Sequence, residues 1–246
     1  MILSTFTKFR RVMSKYPSIR GLQRFLLGTR LVSIPLQFLD ENIPEDCTVF
    51  ELGCGQGVLA NYLLLDSPSR RLVGMDVSVS RVRVAASSVQ NCEEVLFLVG
   101  DITQLPLRLH VNDSDSTRHF IISQVLYLLP VEEAERILES ICERMSPGDV
   151  FWLVDYCRSS TVRYWFLMIE NLLLTLAVTT AMRLSGPRGR LYLIASRLFG
   201  SRERRARIPD VRTWLDMLAR CGLVARQQHP REFNMFPQVV FRCEKA

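Results

Sequence analysis

Between Val49 and Gly57 an apolar run, Val49-Phe50-Glu51-Leu52, breaks into three glycines separated by single residues, Gly53, Gly55 and Gly57, and a helical pattern follows to about Leu65. A strand that ends in so permissive a turn, with a helix start just behind it, is the opening unit of an open α/β sheet. Glycine lets the backbone bend sharply, and the first amides of the helix stay free to face whatever the turn holds. The theme repeats along the chain. Arg71 to Asp76 reads as a strand, Ser80 to Val89 as a helix, Val95 to Gly100 as a strand and His119 to Val125 as a fourth strand. Val131 to Met145 reads as a helix with its acids early and Arg144 late, as the macrodipole prefers, and Ser146-Pro147-Gly148 turns it into the run Val150 to Asp155. Asp210 is placed to cap a helix through Ala219 that ends near Gly222, and Leu223 to Gln228 and Val239 to Cys243 read as closing strands. Strands alternating with helices imply a mostly parallel sheet with helices on both faces, so the expected fold is a seven-stranded α/β sheet.

A chain of 246 residues suits one hydrophobic core. Residues 1–46 are expected to form a basic helical cap, and residues 47–246 the main domain, interrupted by an insertion at 158–208. Charge singles out the same two segments. From Met1 to Leu39 the cations Lys8, Arg10, Arg11, Lys15, Arg20, Arg24 and Arg30 meet no acid, and from Arg183 to Arg207 eight arginines face only Glu203. Such blocks suit anionic lipid, nucleic acid or an acidic substrate, and equally a plain solvated surface. The N-terminus has neither a compact apolar core nor a small-residue cleavage site, which argues against a secretory signal; its acid-free, arginine- and serine-containing character also fits an organellar transit peptide, and an amphipathic cap that stays on the protein is preferred. Seven widely spaced cysteines without a C-x-x-C pair suit reduced thiols in a cytosolic compartment.

The stretch Glu51-Leu52-Gly53-Cys54-Gly55-Gln56-Gly57 resembles the first motif of the class I S-adenosylmethionine-dependent methyltransferases, acid-x-Gly-x-Gly-x-Gly. A dinucleotide loop would instead read G-x-G-x-x-G. Asp76 ends the second strand, 19 residues after Gly57, where the family places the carboxylate that accepts both ribose hydroxyls; its plain alternative is a helix cap. Asp101, in Val99-Gly100-Asp101-Ile102, matches the position that binds the adenine amino group, with the Ile102 amide beside it. The resemblance implies a Rossmann-like fold, S-adenosyl-L-methionine as cofactor, and a cofactor site formed by Glu51, Gly53, Cys54, Gly55, Gly57, Asp76, Val77, Asp101 and Ile102, with Ser123 and Gln124 near the methyl group. It covers Thr48 to Asp155 and the two closing strands, and leaves out the N-terminal segment and the insertion. The fourth strand, His119-Phe120-Ile121-Ile122-Ser123-Gln124, departs from the family by lacking an opening aromatic-Asp pair.

Other chemistries fit less well. The only lysines are Lys8, Lys15 and Lys245, so no tyrosine is followed four residues later by lysine, as a short-chain dehydrogenase requires. A base-amine methyltransferase carries Pro-Pro after its fourth strand and a cytosine C5 enzyme carries Pro-Cys; neither pair occurs, which demotes nucleic acid. No phosphate loop is visible, and His110, His119 and His229 are too scattered for a metal site.

Within the insertion, Trp165 to Met182 has only Glu170 and Asn171 as strongly polar members. As a helix it would extend about 27 Å, but crossing a bilayer would strand the closing strands on the far side, so a lid or an interfacial helix is expected instead. Either favours a hydrophobic, lipid-like acceptor. Asp155, beside Tyr156 at the end of the fifth strand, is the candidate base or orienting group for the acceptor, and equally a structural cap. Three functions stay open: methyl transfer to a hydrophobic small molecule, methyl transfer to a protein or polar metabolite, and a non-catalytic cofactor-binding partner module. The expected location is cytoplasmic, with contact to a membrane surface through residues 158–208 left open, as is the oligomeric state.

Overall fold

A computed structural model describes residues 2–67, 69–89, 93–104, 117–158, 208–230 and 238–246. Three helices come first, α1 (Ile2–Ser14), α2 (Gly21–Ser33) and α3 (Leu36–Asn42). Then follow β1 (Thr48–Leu52), α4 (Val58–Leu63), β2 (Arg71–Asp76), α5 (Val79–Ser88), β3 (Val95–Val99), β4 (Arg118–Ser123), α6 (Val131–Arg144), β5 (Val150–Tyr156), α7 (Val211–Arg220), β6 (Leu223–Gln228) and β7 (Gln238–Lys245). Within the described residues the expected elements are present, shifted by a residue or two at their ends. Trp165–Met182, the Arg183–Arg207 block, Cys92 and His110 lie outside the described residues.

The seven strands form one sheet in the order β3-β2-β1-β4-β5-β7-β6, with β1 to β5 parallel and β7 antiparallel to both β5 and β6. The strand order reverses between β1 and β4, and a crevice at the carboxyl ends of such a pair is where open α/β sheets bind ligands. Glu51 stands beside Gly74 of β2 and Ile121 of β4, at the centre of that crevice's floor.

Strand side chains alternate between faces, and the core divides accordingly. Phe50, Leu52, Phe120, Ile122, Phe151, Leu153 and Phe241 pack under α6 and α7 against Ile137, Leu138, Trp214 and Leu218. Val49, Leu72, Ile121, Val150, Trp152, Val154 and Val240 pack on the opposite face against α4 and, beyond it, Val12, Tyr16, Leu27, Leu31, Leu36 and Leu39 of the N-terminal segment. The N-terminal helices therefore share a core with the sheet, which makes the expected cap a structural layer of the domain.

Part of the basic N-terminal charge is used internally. Lys8 pairs with Asp40 and Asp66 at 2.9 and 2.8 Å, and Arg11 with Asp66 at 2.8 Å. Arg70, 1% exposed, pairs with Asp40 at 2.5 Å and donates to the carbonyls of Pro44, Leu63, Asp40 and Ile43, fastening α3 to the start of β2. A buried guanidinium is tolerated only when its donors are satisfied in this way.

Candidate active site

The loop between β1 and α4 starts at Gly53, whose amide, like that of Cys54, donates to the Met75 carbonyl of β2, at 2.7 and 2.9 Å. Gly53, Gly55 and Gly57 all have positive φ, the region where a side chain is strained. Space adds to this at Gly53, whereas the neighbour at Gly55 is the movable tip of a side chain. A Cβ at Gly53 would lie 2.5 Å from Val125 Cγ2, and one at Gly55 would lie 2.6 Å from Arg30 Nη1. The loop is thus roofed on one side by the turn after β4 and on the other by α2.

Asp76 is 6% exposed, and its two oxygens accept from the Gly55 amide at 2.9 Å and the Ser78 amide at 2.8 Å. A carboxylate has about four acceptor positions, so capacity remains for two hydroxyl donors. One oxygen anchors the approach to α5 at Ser78 and the other ties down the glycine loop. Val77 follows with its side chain 71% exposed, an apolar surface left open beside the carboxylate. Asp101 is exposed and accepts from the Thr103 amide at 2.9 Å, while Ile102 is buried in the 3-10 turn Ile102–Gln104.

Glu51 and Ser123 are the conspicuous members of the set. Glu51 is 4% exposed and its Oε2 has no hydrogen-bond partner; Ser123 Oγ is likewise buried and unpartnered. Burial pushes the Glu51 carboxyl up to about 8, against the pull of the Arg30 charge and a backbone amide. By strand alternation Glu51 shares the sheet face of Val49, and Ser123 that of Ile121, which is the face covered by the N-terminal helices. Cys54 is buried and its thiol is pushed up, first by burial and then by Glu51 and Asp76, so it is unsuited to act as a thiolate.

Gln124 is the first residue beyond β4 and has a φ of 57°. Its side-chain amide donates to the Ser33 carbonyl of α2 at 3.1 Å, so it ties two walls of the crevice together. Asp155 lies across the sheet from Glu51 and Ser123. It is wholly buried, and its oxygens accept from the amides of Tyr156 at 2.7 Å and Tyr127 at 3.2 Å. Burial pushes this carboxyl up to about 7 against those amide bonds.

The N-terminal helices bring further residues to the site. The Tyr16 hydroxyl donates to the Gln56 carbonyl of the glycine loop at 2.9 Å and accepts from Asn61 at 2.8 Å. Arg30, Ser33 and Val125 complete the walls. No motif marks them, because each contact joins residues far apart in sequence. Among the described residues no group of three His, Cys, Asp or Glu is placed to hold a metal ion, and no helix is long and apolar enough to cross a membrane.

The family of methyltransferase domains matches residues 49–148. No curated protein sequence matches the chain. Among solved structures, human N-acetylserotonin methyltransferase in complex with S-adenosylmethionine is 14% identical with a TM-score of 0.58, over 91% of this chain and 55% of that one. The O-methyltransferase NcsB1 of neocarzinostatin biosynthesis, in complex with S-adenosylmethionine and 2-hydroxy-5-methyl naphthoic acid, is 13% identical with a TM-score of 0.58, over 90% and 56%. A TehB-like methyltransferase from Corynebacterium glutamicum is 14% identical with a TM-score of 0.52, over 86% and 87%. The chain thus spans 55% and 56% of the first two proteins. The site geometry fits the group that two of these structures hold: a loop of three positive-φ glycines, an unpartnered buried carboxylate oxygen and an unpartnered hydroxyl. Residues 49–148 match the family of methyltransferase domains, and the sheet around them has the class I, Rossmann-like methyltransferase fold.

Proposed function

We propose that the protein methylates a hydrophobic small molecule. The observation that carries the methyl-transfer part is the coincidence of the family match with a loop of three positive-φ glycines that follows Glu51 and is tied to Asp76. The cofactor supplies an electrophilic methyl group on a sulfonium. The chain's part is to bind, align and exclude water, which can account for most of the rate of an in-line displacement. In this reading Asp76 accepts the ribose hydroxyls, Val77 and Ile102 flank the adenine, Asp101 meets its amino group, and Ser123 lies near the transferred methyl. Asp155 acts as a positioning residue: by holding the Tyr127 and Tyr156 amides it fixes the turn that sets Val125 against Gly53.

The acceptor class rests on two supports. The insertion at 158–208 is strongly apolar at Trp165–Met182, and two of the similar folds are named for, or hold, aromatic acceptors. An apolar groove of about 580 Å³ also runs between α1 and α2, lined by Phe9, Met13, Phe25 and Val32. Its α2 residues, Arg24, Gly28 and Val32, lie on the opposite side of the helix from Arg30, so this groove is separate from the crevice at the glycine loop.

The deciding experiment is calorimetric titration with S-adenosylmethionine and S-adenosylhomocysteine. Binding is expected for the wild type and a loss of at least tenfold for Asp76→Ala. Product S-adenosylhomocysteine is then measured with hydroxylated aromatic and lipid acceptors beside polar metabolites and protein extract. Turnover confined to the polar or protein substrates would overturn the acceptor assignment, and cofactor binding with no turnover on any of them would favour a non-catalytic module.

A further inference from the structure

The basic charge of the N-terminal segment is only partly neutralised inside the fold. Lys8 and Arg11 meet Asp40 and Asp66, but Arg10, Arg20 and Arg24 are exposed, and among the described residues no carboxylate pairs with them. No acid occurs between Met1 and Leu39. These cations border the apolar groove between α1 and α2: Arg24 lines it, Arg10 follows Phe9, and Arg20 precedes Gly21, another lining residue. The groove itself offers little to a polar ligand. Phe9, Met13, Phe25 and Val32 line it, and Gly28 leaves it open, since a Cβ there would meet the Phe9 ring only at 3.7 Å. The Thr29 hydroxyl donates to the Leu26 carbonyl at 2.8 Å, so its proton is already used within the helix. Arg24 gives one hydrogen bond to the Tyr16 carbonyl, at 3.2 Å, and a guanidinium has further donors to offer. Phe25 and Val32 stay 43% and 40% exposed.

Apolar side chains gain by leaving water, and an uncovered apolar patch rimmed by charge marks a contact surface. Charge and shape together choose the occupant. The unpaired cations belong to both helices, Arg10 to α1 and Arg20 and Arg24 to the start of α2, which is more charge than one anionic head group neutralises. They suit an extended anionic surface. A nucleic acid supplies the charge but leaves the aliphatic part of the groove uncovered, whereas a bilayer supplies both phosphates and acyl chains. We propose that the α1–α2 face docks the protein on an anionic lipid bilayer, with Phe25 and Val32 entering between head groups and Arg10, Arg20 and Arg24 pairing with their phosphates. This surface is separate from the crevice, so the proposal goes beyond the methyl-transfer reading and does not depend on it. It also fixes where that reaction takes place. The other side of α2 presents Arg30 and Ser33 to the glycine loop and to Gln124, so the crevice lies about one helix diameter, roughly 10 Å, from the lipid.

The test is flotation of the protein with vesicles of phosphatidylcholine alone and of phosphatidylcholine and phosphatidylglycerol in equal parts, at low and high salt. The wild type is expected to float with the mixed vesicles, to stay behind with phosphatidylcholine, and to lose affinity as salt rises. Phe25→Ser is expected to weaken binding roughly tenfold, because less apolar area leaves water, while Phe25→Trp retains it. Arg10→Gln combined with Arg20→Gln is expected to weaken it by about fivefold per charge. All these positions are exposed, so Tm should remain that of the wild type, which separates lost docking from lost folding. Wild-type protein that stays behind with both vesicles would overturn the proposal, as would Phe25→Ser protein that floats like the wild type. If only the arginine variant loses binding, and heparin binds the wild type as tightly as the mixed vesicles do, the face reads polyanions and the bilayer assignment fails. None of these outcomes bears on methyl transfer, which the cofactor titration tests by itself.

Discussion

The two faces of the sheet are built by different rules. Under α6 and α7 the layer is aromatic and aliphatic almost throughout, with Asp155 as its buried carboxylate. Under α1 to α5 the same sheet buries Glu51, Asn61, Arg70, Asp76, Ser88, His119 and Ser123, each under a tenth exposed. Burying polar groups is unfavourable unless their bonds are made, so a face that concentrates them needs a reason. Most have partners within the fold. Arg70 has Asp40 and four carbonyls. Neutral His119 accepts from Trp152 Nε1 at 3.1 Å, and burial, then Arg242, lowers its pKa to about 4. Glu51 and Ser123, at the crevice, and Asn61 through its Oδ1 are left with an unmade bond. One face therefore supplies stability, and the other carries the ligand site together with the networks that hold it.

The largest expected effect separates those tasks. Arg70→Ala leaves Asp40 and several carbonyls unpaired in the interior and is expected to cost roughly 3–5 kcal/mol, a fall in Tm on the order of 10 °C. Leu138→Ala on the apolar face should cost about 2–5 kcal/mol through its cavity. Thermal denaturation with and without S-adenosylhomocysteine sharpens the comparison. Leu138→Ala should retain the wild-type ligand affinity at low temperature, whereas Arg70→Ala, which loosens the α3 anchor, should weaken it. Equal affinities in both variants would break the division of labour.

Glu51→Gln tests the same face from the other side. The carboxyl rises from 4.5 to about 8 on folding, chiefly by burial. Between those values the folded protein holds a proton that the unfolded chain has released, so this group's contribution is complete below about pH 4.5 and is lost as pH rises through about 8. Glutamine suffers no such loss. The variant's Tm should match that of the wild type near pH 4.5 and exceed it on the order of 10 °C at pH 8 to 9. A constant difference across that range would show that Glu51 does not titrate there. A more stable protein that binds cofactor less well would mark Glu51 as retained for the ligand.

These effects also show which parts of the molecule are legible in the sequence. The strands, the sheet class and the crevice are legible because apolar alternation and the Gly53, Gly55, Gly57 spacing are local signals. Asp76 and Asp101 follow from their places at strand ends. The order of the strands is a property of non-local pairing, which no local pattern encodes. The N-terminal contacts are hidden for the same reason: Tyr16 meets Gln56 and Arg30 meets Gly55 across long stretches of chain, and the acid-free basic run offers no signal that separates Arg30 from its neighbours. The face that Asp155 occupies is recoverable in principle. It alternates with Val154, so it points away from Glu51 and Ser123, toward α6.

That placement gives the next prediction. Asp155→Asn replaces a buried carboxyl whose pKa is raised to about 7 with a neutral isostere, losing at most the acceptor at one amide, for roughly 1–2 kcal/mol. With a responsive acceptor, the methyl-transfer rate should stay within about tenfold, the scale expected of a positioning group. A loss beyond a thousandfold, together with the disappearance of a step near pH 7 in the rate profile, would make Asp155 a base and move part of the chemistry to the other face.

The smallest effect is the most discriminating between the loop and its lid. The Tyr16 hydroxyl bridges the Gln56 carbonyl and Asn61 in a buried position, so Tyr16→Phe removes a bond on each side without opening a cavity. A cost of about 1–2 kcal/mol is expected, seen as a few degrees in Tm. Because this change relaxes the loop, S-adenosylhomocysteine binding should weaken by about two- to fivefold, on the scale of 1 kcal/mol or less. If Tm falls while the affinity stays that of the wild type, the Tyr16 bond holds the N-terminal layer to the loop without shaping the ligand site.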